Sequence, residues 1–238
     1  MKNRFHMTVA DNILWAKRNM IDSIWKEANI EGIAVTFPET KEIYEGRTVS
    51  GMSVDDTVAI NNLKHGWQFI LDTLDVPVDL AYVRQVNHLI GAGIVVNAGQ
   101  LRTSDVSIGG TAWRPEIPDY ERTKELIGRI TEKEPGQEQA LIMFAELCRA
   151  QLFYDGNKRT AQLVANKMLI SSGAGILAIP VSYKPAFESL LVGYYETGEA
   201  EALLEFLDEN AMDGVNLEEP EISSEEQLEE EPEFMPHL

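Results

Sequence analysis

The sequence predicts an all-α fold, a helical bundle with one short β-hairpin. Three observations lead to this prediction. Apolar residues recur at the i, i+3 and i+4 positions of a helix through most of the 238 residues. Glycine and proline stand where these periodic segments begin and end. The interior shows neither an internal repeat nor a linker of biased composition, so one main domain is expected. We divide the chain into 1–50, a core domain at 51–210 and an acidic tail at 211–238.

The first two helices are predicted from their apolar faces and their end signals. Residues 10–29 carry one apolar stripe, and Gly32 follows it as a C-terminal stop. A short helix over 38–45 begins at Pro38, where the missing proline N–H costs nothing, and ends at Gly46. These two helices make up most of the N-terminal region.

The next two helices follow closely. Ser53 and Asp56 resemble a capping box, with Asp in place of the usual Glu or Gln. The helix that they open continues to about residue 75, and another covers 78–92. The segment 99–115 then differs, being rich in Thr, Ser and Gly with alternating apolar residues, and it predicts a short two-stranded flap. The remaining predicted helices cover 119–132, 136–153, 157–172, 184–197 and 199–210.

Composition narrows the class of protein. The chain has 39 acidic and 20 basic residues, a net charge of −19, which disfavours sequence-independent binding to nucleic acid. Nine of the acids lie in 216–238, which we interpret as a disordered, solubilising tail. The lone Cys148 excludes a disulfide framework within one chain. No apolar run is long enough to span a membrane and residues 1–10 lack a signal core, so we expect a cytoplasmic protein without membrane partners.

The segment 153–160, Phe-Tyr-Asp-Gly-Asn-Lys-Arg-Thr, carries the chemistry. A glycine loop that leads into a helix presents free N–H groups at the positive end of the helix dipole, which suits an anion. Lys158 and Arg159 add cations, and Asp155 is suited to a divalent cation that bridges phosphates. The same residues also suit an ordinary turn between two helices with solvated cations. Spacing alone does not decide between these interpretations.

Three motifs in the right order resemble the Fic (filamentation induced by cAMP) family, which has the Fido fold. The segment 151–159 resembles its signature loop, His-x-Phe-x-Asp/Glu-Gly-Asn-Gly/Lys-Arg, with Gln151 in the place of His. The segment 99–115 resembles its flap, and 28–32 resembles its inhibitory-helix motif, Ser/Thr-x-x-x-Glu-Gly/Asn. The resemblance covers residues 10–210.

The resemblance implies transfer of AMP from ATP to a hydroxyl of an unidentified target protein. It also implies autoinhibition, with 1–50 as the inhibitory-helix region, and it allows a homodimer. In this scheme Asp155 binds Mg²⁺ and takes part in catalysis beside Gln151, while Phe153 anchors the loop. The remaining implied roles are the phosphate site at Gly156, Asn157, Lys158 and Arg159, the target-docking edge at Ile108, Gly109, Gly110 and Thr111, and the inhibitory Glu31.

Three positions depart from the family pattern. Gln151 replaces the histidine that takes the proton of the attacking hydroxyl, and an amide cannot act as a general base near pH 7. Gln162 stands where many members have a second Arg, so the usual ion pair of that Arg with Glu31 cannot form. Repulsion between Glu31 and phosphates can still inhibit. Glu27 stands where the inhibitory motif has Ser or Thr.

These departures leave three functions open. The first is a weak adenylyltransferase, supported by the intact segment 155–159. The second is a nucleotide-binding pseudoenzyme or regulatory module, motivated by Gln151. The third is a phosphotransferase like the death-on-curing toxins, whose loop also reads Asn-Lys-Arg-Thr.

Overall fold

The computed structural model describes residues 1–216 of the chain. Within this range the protein forms nine α-helices, a 3₁₀ turn at Val181–Tyr183 and two short strands. The elements are α1 (Val9–Ile30), α2 (Phe37–Tyr44), α3 (Val54–Asp72), α4 (Leu80–Gly91), α5 (Tyr120–Thr131), α6 (Gln137–Ala150), α7 (Asn157–Ser171), β1 (Ile176–Leu177), α8 (Lys184–Thr197), α9 (Glu201–Asn210) and β2 (Met212–Asp213). The predicted all-α class is confirmed, and helix ends lie within about three residues of the predicted positions.

Side-chain caps explain where five of these helices begin. The residue before each helix accepts a hydrogen bond from a backbone N–H in the first turn, which otherwise has no partner inside the helix. The five capping residues, for α1 to α5 in order, are Thr8, Thr36, Ser53, Asp79 and Asp119. Helix α7 differs, because its N-cap is Gly156 and no side chain caps it.

Helix α7 lies at the centre of the bundle. It packs against α6, α4, α3 and α1, and nearly all of its side chains are buried. One close approach depends on Gly66 of α3, where a Cβ atom would lie 2.5 Å from the Cδ1 atom of Leu163. The position of the α7 N-terminus is therefore fixed by contacts on several sides.

The predicted β-hairpin over 99–115 is not present. This segment runs as an irregular loop to residue 119, with no strand in it, and the two-stranded sheet lies elsewhere. Strand β1 pairs antiparallel with β2, with Ile176 opposite Asp213 and Leu177 opposite Met212. The alternation of apolar residues in the loop was therefore not a strand signal. Its carbonyl groups are bonded to an arginine side chain instead of to a facing strand, as described below.

Of the predicted acidic tail, 211–238, the structure describes residues 211–216. Strand β2 pairs with β1, so residues 212–213 of the segment assigned to the tail contact the helical bundle's sheet. The predicted disorder of the remaining tail lies outside the described residues. In the part of the chain that the structure describes, no helix has the length and hydropathy needed to cross a membrane.

Candidate functional site

A cleft of about 850 Å³ opens at the N-terminus of α7. One wall is the loop between α6 and α7, and the opposite wall is α8. The edge of the loop 99–119 and the end of α1 complete it. The lining residues that the sequence predicted are Glu31, Ile108, Gly109, Gly110, Gln151, Asp155, Gly156, Asn157 and Lys158. Three separate motifs are thus brought to one cavity whose size suits a nucleotide.

The first turn of α7 has the geometry of an anion hole. Gly156 adopts a left-handed backbone, with φ of 76°, which turns the chain into the helix. Within the described residues, the N–H groups of residues 157–159 have no hydrogen-bond acceptor. These free donors lie at the positive end of a 15-residue helix. Lys158 lines the cleft beside them and adds a full positive charge.

The side chain of Asn157 holds the loop in shape. Its Oδ1 accepts from the N–H of Phe153 at 3.0 Å, and its Nδ2 donates to the carbonyl of Phe153 at 2.8 Å. The same Nδ2 also donates to Oε1 of Gln151 at 3.1 Å. Phe153 is buried in the core, as expected for an anchor. Asn157 therefore acts first as a brace of the loop.

Gln151 ends α6 and shapes the floor of the cleft. It has a left-handed backbone, with φ of 44° and ψ of 57°, so α6 stops at Ala150 and not at residue 153 as the sequence predicted. Its Nε2 donates to the carbonyl of Cys148 at 2.7 Å and lies 3.4 Å from the hydroxyl of Tyr195. The amide is thus engaged by the protein on both its donor and its acceptor side. It has no basic nitrogen to accept a proton.

Asp155 and Arg159 form a local ion pair. The Oδ1 atom of Asp155 lies 3.2 Å from a guanidinium nitrogen of Arg159 and also accepts from the N–H of Gly156 at 2.6 Å. The Asp155 side chain is 54% exposed, whereas that of Arg159 is 9% exposed. Asp155 therefore faces the cleft, and Arg159 lies beneath it. Among the described residues, no three His, Cys, Asp or Glu side chains cluster as a metal cage.

Glu31 enters this site from the end of α1. Its carboxylate lies 3.6 Å from Nζ of Lys158 and 3.7 Å from Nε of Arg159. Glu31 thus lies near two cations, although the ion pair with an arginine at position 162 cannot form. Gln162 itself is buried and donates to the carbonyl of Leu177 at 3.2 Å, away from the cleft. Glu31 therefore occupies the cationic part of the anion site.

Glu27 lies one turn before Glu31 on α1 and is 2% exposed. Its Oε1 accepts from Nε1 of Trp67 at 3.0 Å, and its Oε2 is buried without a partner in the described chain. Burial, with a smaller contribution from the neighbouring Glu31, raises the pKa of Glu27 to about 8. Because an ionised form is costly here, Glu27 is mainly protonated at pH 7.

Two connecting residues were not foreseen from the sequence. Asn87 of α4 donates to the carbonyl of Asp155 at 3.0 Å and accepts from the N–H of Gly99 at 2.8 Å. The hydroxyl of Tyr154 accepts from the N–H of Thr103 at 3.1 Å. Bonds donated by Ser104 and Thr103 lower the pKa of Tyr154 to about 8. In the sequence, a polar amide among the apolar residues of α4 was the one signal that pointed to Asn87.

The edge of the loop 99–119 is fixed to α8. Thr111 donates to Oε1 of Glu196 at 2.7 Å, and the ring of Trp113 stacks on Tyr195 with centroids 5.5 Å apart. Gly110 comes near Val192 of α8. Residues 108–110 of the predicted docking edge therefore line the cleft and Thr111 is bonded to α8, although the segment has no strand structure.

The bundle thus presents an uncapped helix N-terminus flanked by a cation and a carboxylate, an arrangement suited to a phosphate group. Residues 77–169 match the model of the Fic/DOC family. Together with the relatives below, this match shows that residues 77–169 form a Fic/DOC-family domain. The family match includes the loop 99–119 and the whole of α6 with the signature loop.

Curated relatives and solved structures agree with this assignment. The chain is 24% identical over 181 residues to "Protein adenylyltransferase fic-1" of Caenorhabditis elegans, covering 71% of this chain and 35% of that protein. It is also 24% identical over 185 residues to "Protein adenylyltransferase Fic" of Drosophila melanogaster, covering 74% of this chain and 37% of that one. The chain thus spans about a third of the length of these relatives.

The fold is shared with solved Fic structures. Fic-1 (residues 134–508) from C. elegans superposes with a TM-score of 0.72 at 19% identity, covering 83% of this chain and 62% of that one. A Fic domain containing signaling protein from Bacteroides thetaiotaomicron superposes with a TM-score of 0.68 at 18% identity, covering 85% of each chain. These likenesses concern the helical fold.

Proposed function

We propose that this chain is a Fic-type protein adenylyltransferase that moves AMP from ATP to a hydroxyl of a target protein, slowly and under autoinhibition. The observation that carries the proposal is the anion hole of α7, with its free N–H groups and Lys158 facing a cleft that the edge 108–111 borders. Relatives named as adenylyltransferases support the same reaction class. We place this activity in the cytoplasm, in keeping with a single buried thiol.

In the proposed reaction the target hydroxyl attacks the α-phosphorus of ATP, the bond to the β-phosphate breaks to release pyrophosphate, and the hydroxyl proton is lost to solvent water. The N–H groups of α7 and Lys158 bind the phosphates and neutralise their charge, which is most of what this chemistry requires. Asp155 fits Mg²⁺, because Mg²⁺ is commonly held by one or two carboxylates together with substrate phosphates. When bound, Mg²⁺ neutralises phosphate charge.

The low rate follows from Gln151. The hydroxyl must lose a proton as it attacks, and the Gln151 amide cannot accept it. The amide is also engaged by Cys148 and Asn157. Loss of a general base typically reduces the rate by about 10²–10⁴-fold.

The inhibition follows from Glu31. Its carboxylate lies 3.6 Å from Nζ of Lys158, the cation that lines the cleft, and 3.7 Å from Nε of Arg159 beneath it. A bound triphosphate must displace this carboxylate or accept its repulsion. Replacement of Glu31 should therefore increase ATP affinity by about tenfold or more.

The test is label transfer from ATP to proteins in a cell lysate, with α-labelled and γ-labelled ATP in parallel. Glu31→Gly, Gln151→His and the double variant are compared with wild type. Glu45→Gly is the matched control, since Glu45 ends α2 as Glu31 ends α1. We expect α-label transfer that rises about 10²–10⁴-fold with Gln151→His. Transfer of the γ-label alone would instead identify a phosphotransferase.

A second candidate is a nucleotide-binding regulatory protein without transfer activity. The engaged amide of Gln151 favours it, because this side chain acts as a structural cap of α6. This candidate predicts that wild type binds ATP while every variant, including the double variant, fails to transfer either label. That result would also refute the adenylyltransferase proposal.

A further inference from the structure

Arg102 occupies an unusual place in the loop 99–119. The side chain is 1% exposed, although arginine is seldom fully buried without a partner. Within residues 1–216 it forms no salt bridge with a carboxylate. Its hydrogen bonds go to backbone carbonyls instead. Such a buried cation needs a structural or functional reason.

The guanidinium joins three separate parts of the backbone. Its Nε donates to the carbonyl of Gln151 at 2.6 Å, and its Nη1 donates to that of Ser104 at 2.9 Å. Its Nη2 donates to the carbonyls of Pro115, at 3.2 Å, and Glu116. Ser104 lies near the start of the loop, and Pro115 and Glu116 lie near its end. One side chain therefore ties both ends of the loop to the residue that caps α6.

The loop has no other backbone framework of this kind. Across 103–118, in the described structure, no backbone N–H donates to a backbone carbonyl. The N–H of Arg102 itself donates to the carbonyl of Leu152 at 2.9 Å, which adds a contact to the signature loop. The guanidinium thus donates N–H groups to loop carbonyls that, in a hairpin, would accept hydrogen bonds from a facing strand. These bonds hold the segment without β-structure.

We propose that Arg102 is the positioning residue of the docking edge 108–111, holding it in register with the phosphate site through the carbonyl of Gln151. The effect of Arg102 on transfer rests on the proposed function, whereas its effect on the position of the loop rests on the fold alone. Lysine cannot replace it, because a single ammonium cannot span carbonyls that the planar fork of five N–H donors reaches together. Arg102 touches no reacting atom, so it acts through the position of the loop.

Trp113 reports the position of this loop. Its ring stacks on Tyr195 at an interplanar angle of 14°, with the guanidinium of Arg149 5.0 Å from its centroid. The chain has four tryptophans, and Trp67 lies in the core far from the loop in sequence. Fluorotryptophan labelling with ¹⁹F NMR therefore gives one resonance for the loop and one for the core, assigned through Trp113→Phe and Trp67→Phe.

The experiment compares Arg102→Met and Arg102→Lys with wild type, using Arg122→Met as control. Arg122 has an 80% exposed side chain and lies near the same loop end, with Glu116 at 3.9 Å. We expect both Arg102 variants to shift or broaden the Trp113 resonance while the Trp67 resonance and the ATP dissociation constant stay within about threefold of wild type. Arg122→Met should change neither. If Arg102→Met does not fold, Arg102→Lys, which keeps the charge, carries the test.

In a transfer assay the Arg102 variants should lower kcat/KM for the protein target by on the order of 10²-fold, with the KM for ATP unchanged. The proposal would be overturned if the Trp113 resonance were unchanged or if Arg102→Lys matched wild type in kcat/KM and in that resonance. A loss of ATP binding as large as the loss of transfer would also overturn it. Failure of the proposed function shows itself differently, as absence of transfer in wild type and in Gln151→His. In that case the NMR comparison still decides whether Arg102 positions the loop.

Discussion

Replacing Glu27 by Gln should make the protein more stable at neutral pH. The carboxyl lies in the core between α1 and α3, where it accepts one hydrogen bond from Trp67 and leaves Oε2 without a partner in the described chain. A glutamine keeps the carbonyl oxygen that Trp67 requires and cannot ionise. The substitution therefore removes the titration while it leaves the hydrogen bond in place.

The size of the effect follows from the pKa. Burial, the largest cause, raises the pKa of Glu27 from 4.5 to about 8. The folded state thus binds a proton that the unfolded state releases above its lower pKa. The stability that protonated Glu27 allows is fully present below pH 4.5 and is lost as the pH rises through about 8. At 1.36 kcal/mol per pKa unit, the loss at pH 7 is about 3 kcal/mol.

The assay is urea unfolding of wild type and Glu27→Gln between pH 5 and pH 8. The difference in the free energy of unfolding should grow by about 3 kcal/mol over this range, in favour of the variant. Glu205→Gln is the control, since Glu205 is exposed on α9 and should leave the difference flat. Parallel pH curves for wild type and Glu27→Gln would refute the argument that burial keeps Glu27 protonated.

Three further predictions concern the site and its surroundings. Gly156→Ala forces a Cβ into a backbone with φ of 76°, so it should destabilise the fold by about 1–3 kcal/mol and weaken ATP binding; an unchanged melting temperature and ATP affinity would contradict this. Asn157→Ala removes the hydrogen bonds that brace Phe153 and Gln151, and urea unfolding should show a loss of about 2–3 kcal/mol, against little loss if the brace is unimportant. Cys148 is fully buried, and burial raises its pKa, so a thiol reagent should label it after unfolding; rapid labelling of the native protein would show otherwise.

The helices were predictable because their signals are local. Apolar period and capping residues such as Ser53 are properties of neighbouring positions, and a helix satisfies its backbone within itself. The anion site at 155–159 was predictable for the same reason, since the loop and the helix that follows it are continuous in sequence. The net negative charge of the protein does not exclude an anion here, because the N–H groups and Lys158 make the electrostatic potential positive locally.

The flap was mispredicted because its partners are distant in sequence. Nothing local distinguishes Val106 and Ile108 in a strand from the same residues in a loop that Arg102 holds. The backbone of this loop is satisfied by side chains from several elements, and sequence spacing carries no record of them. The end of α6 at Gln151 depends in part on Asn157 across the loop.

By itself the sequence determined the helical class, the order of the helices and the position of the candidate phosphate-binding loop, because each follows from contacts within a few residues. The tertiary structure alone decided which side chains meet there. It brings Glu31 to Lys158 and Arg159, turns Gln162 toward β1, and buries Glu27 beside Trp67. The physical reason is that burial and ion pairing depend on distances across the bundle, which packing sets and sequence separation does not.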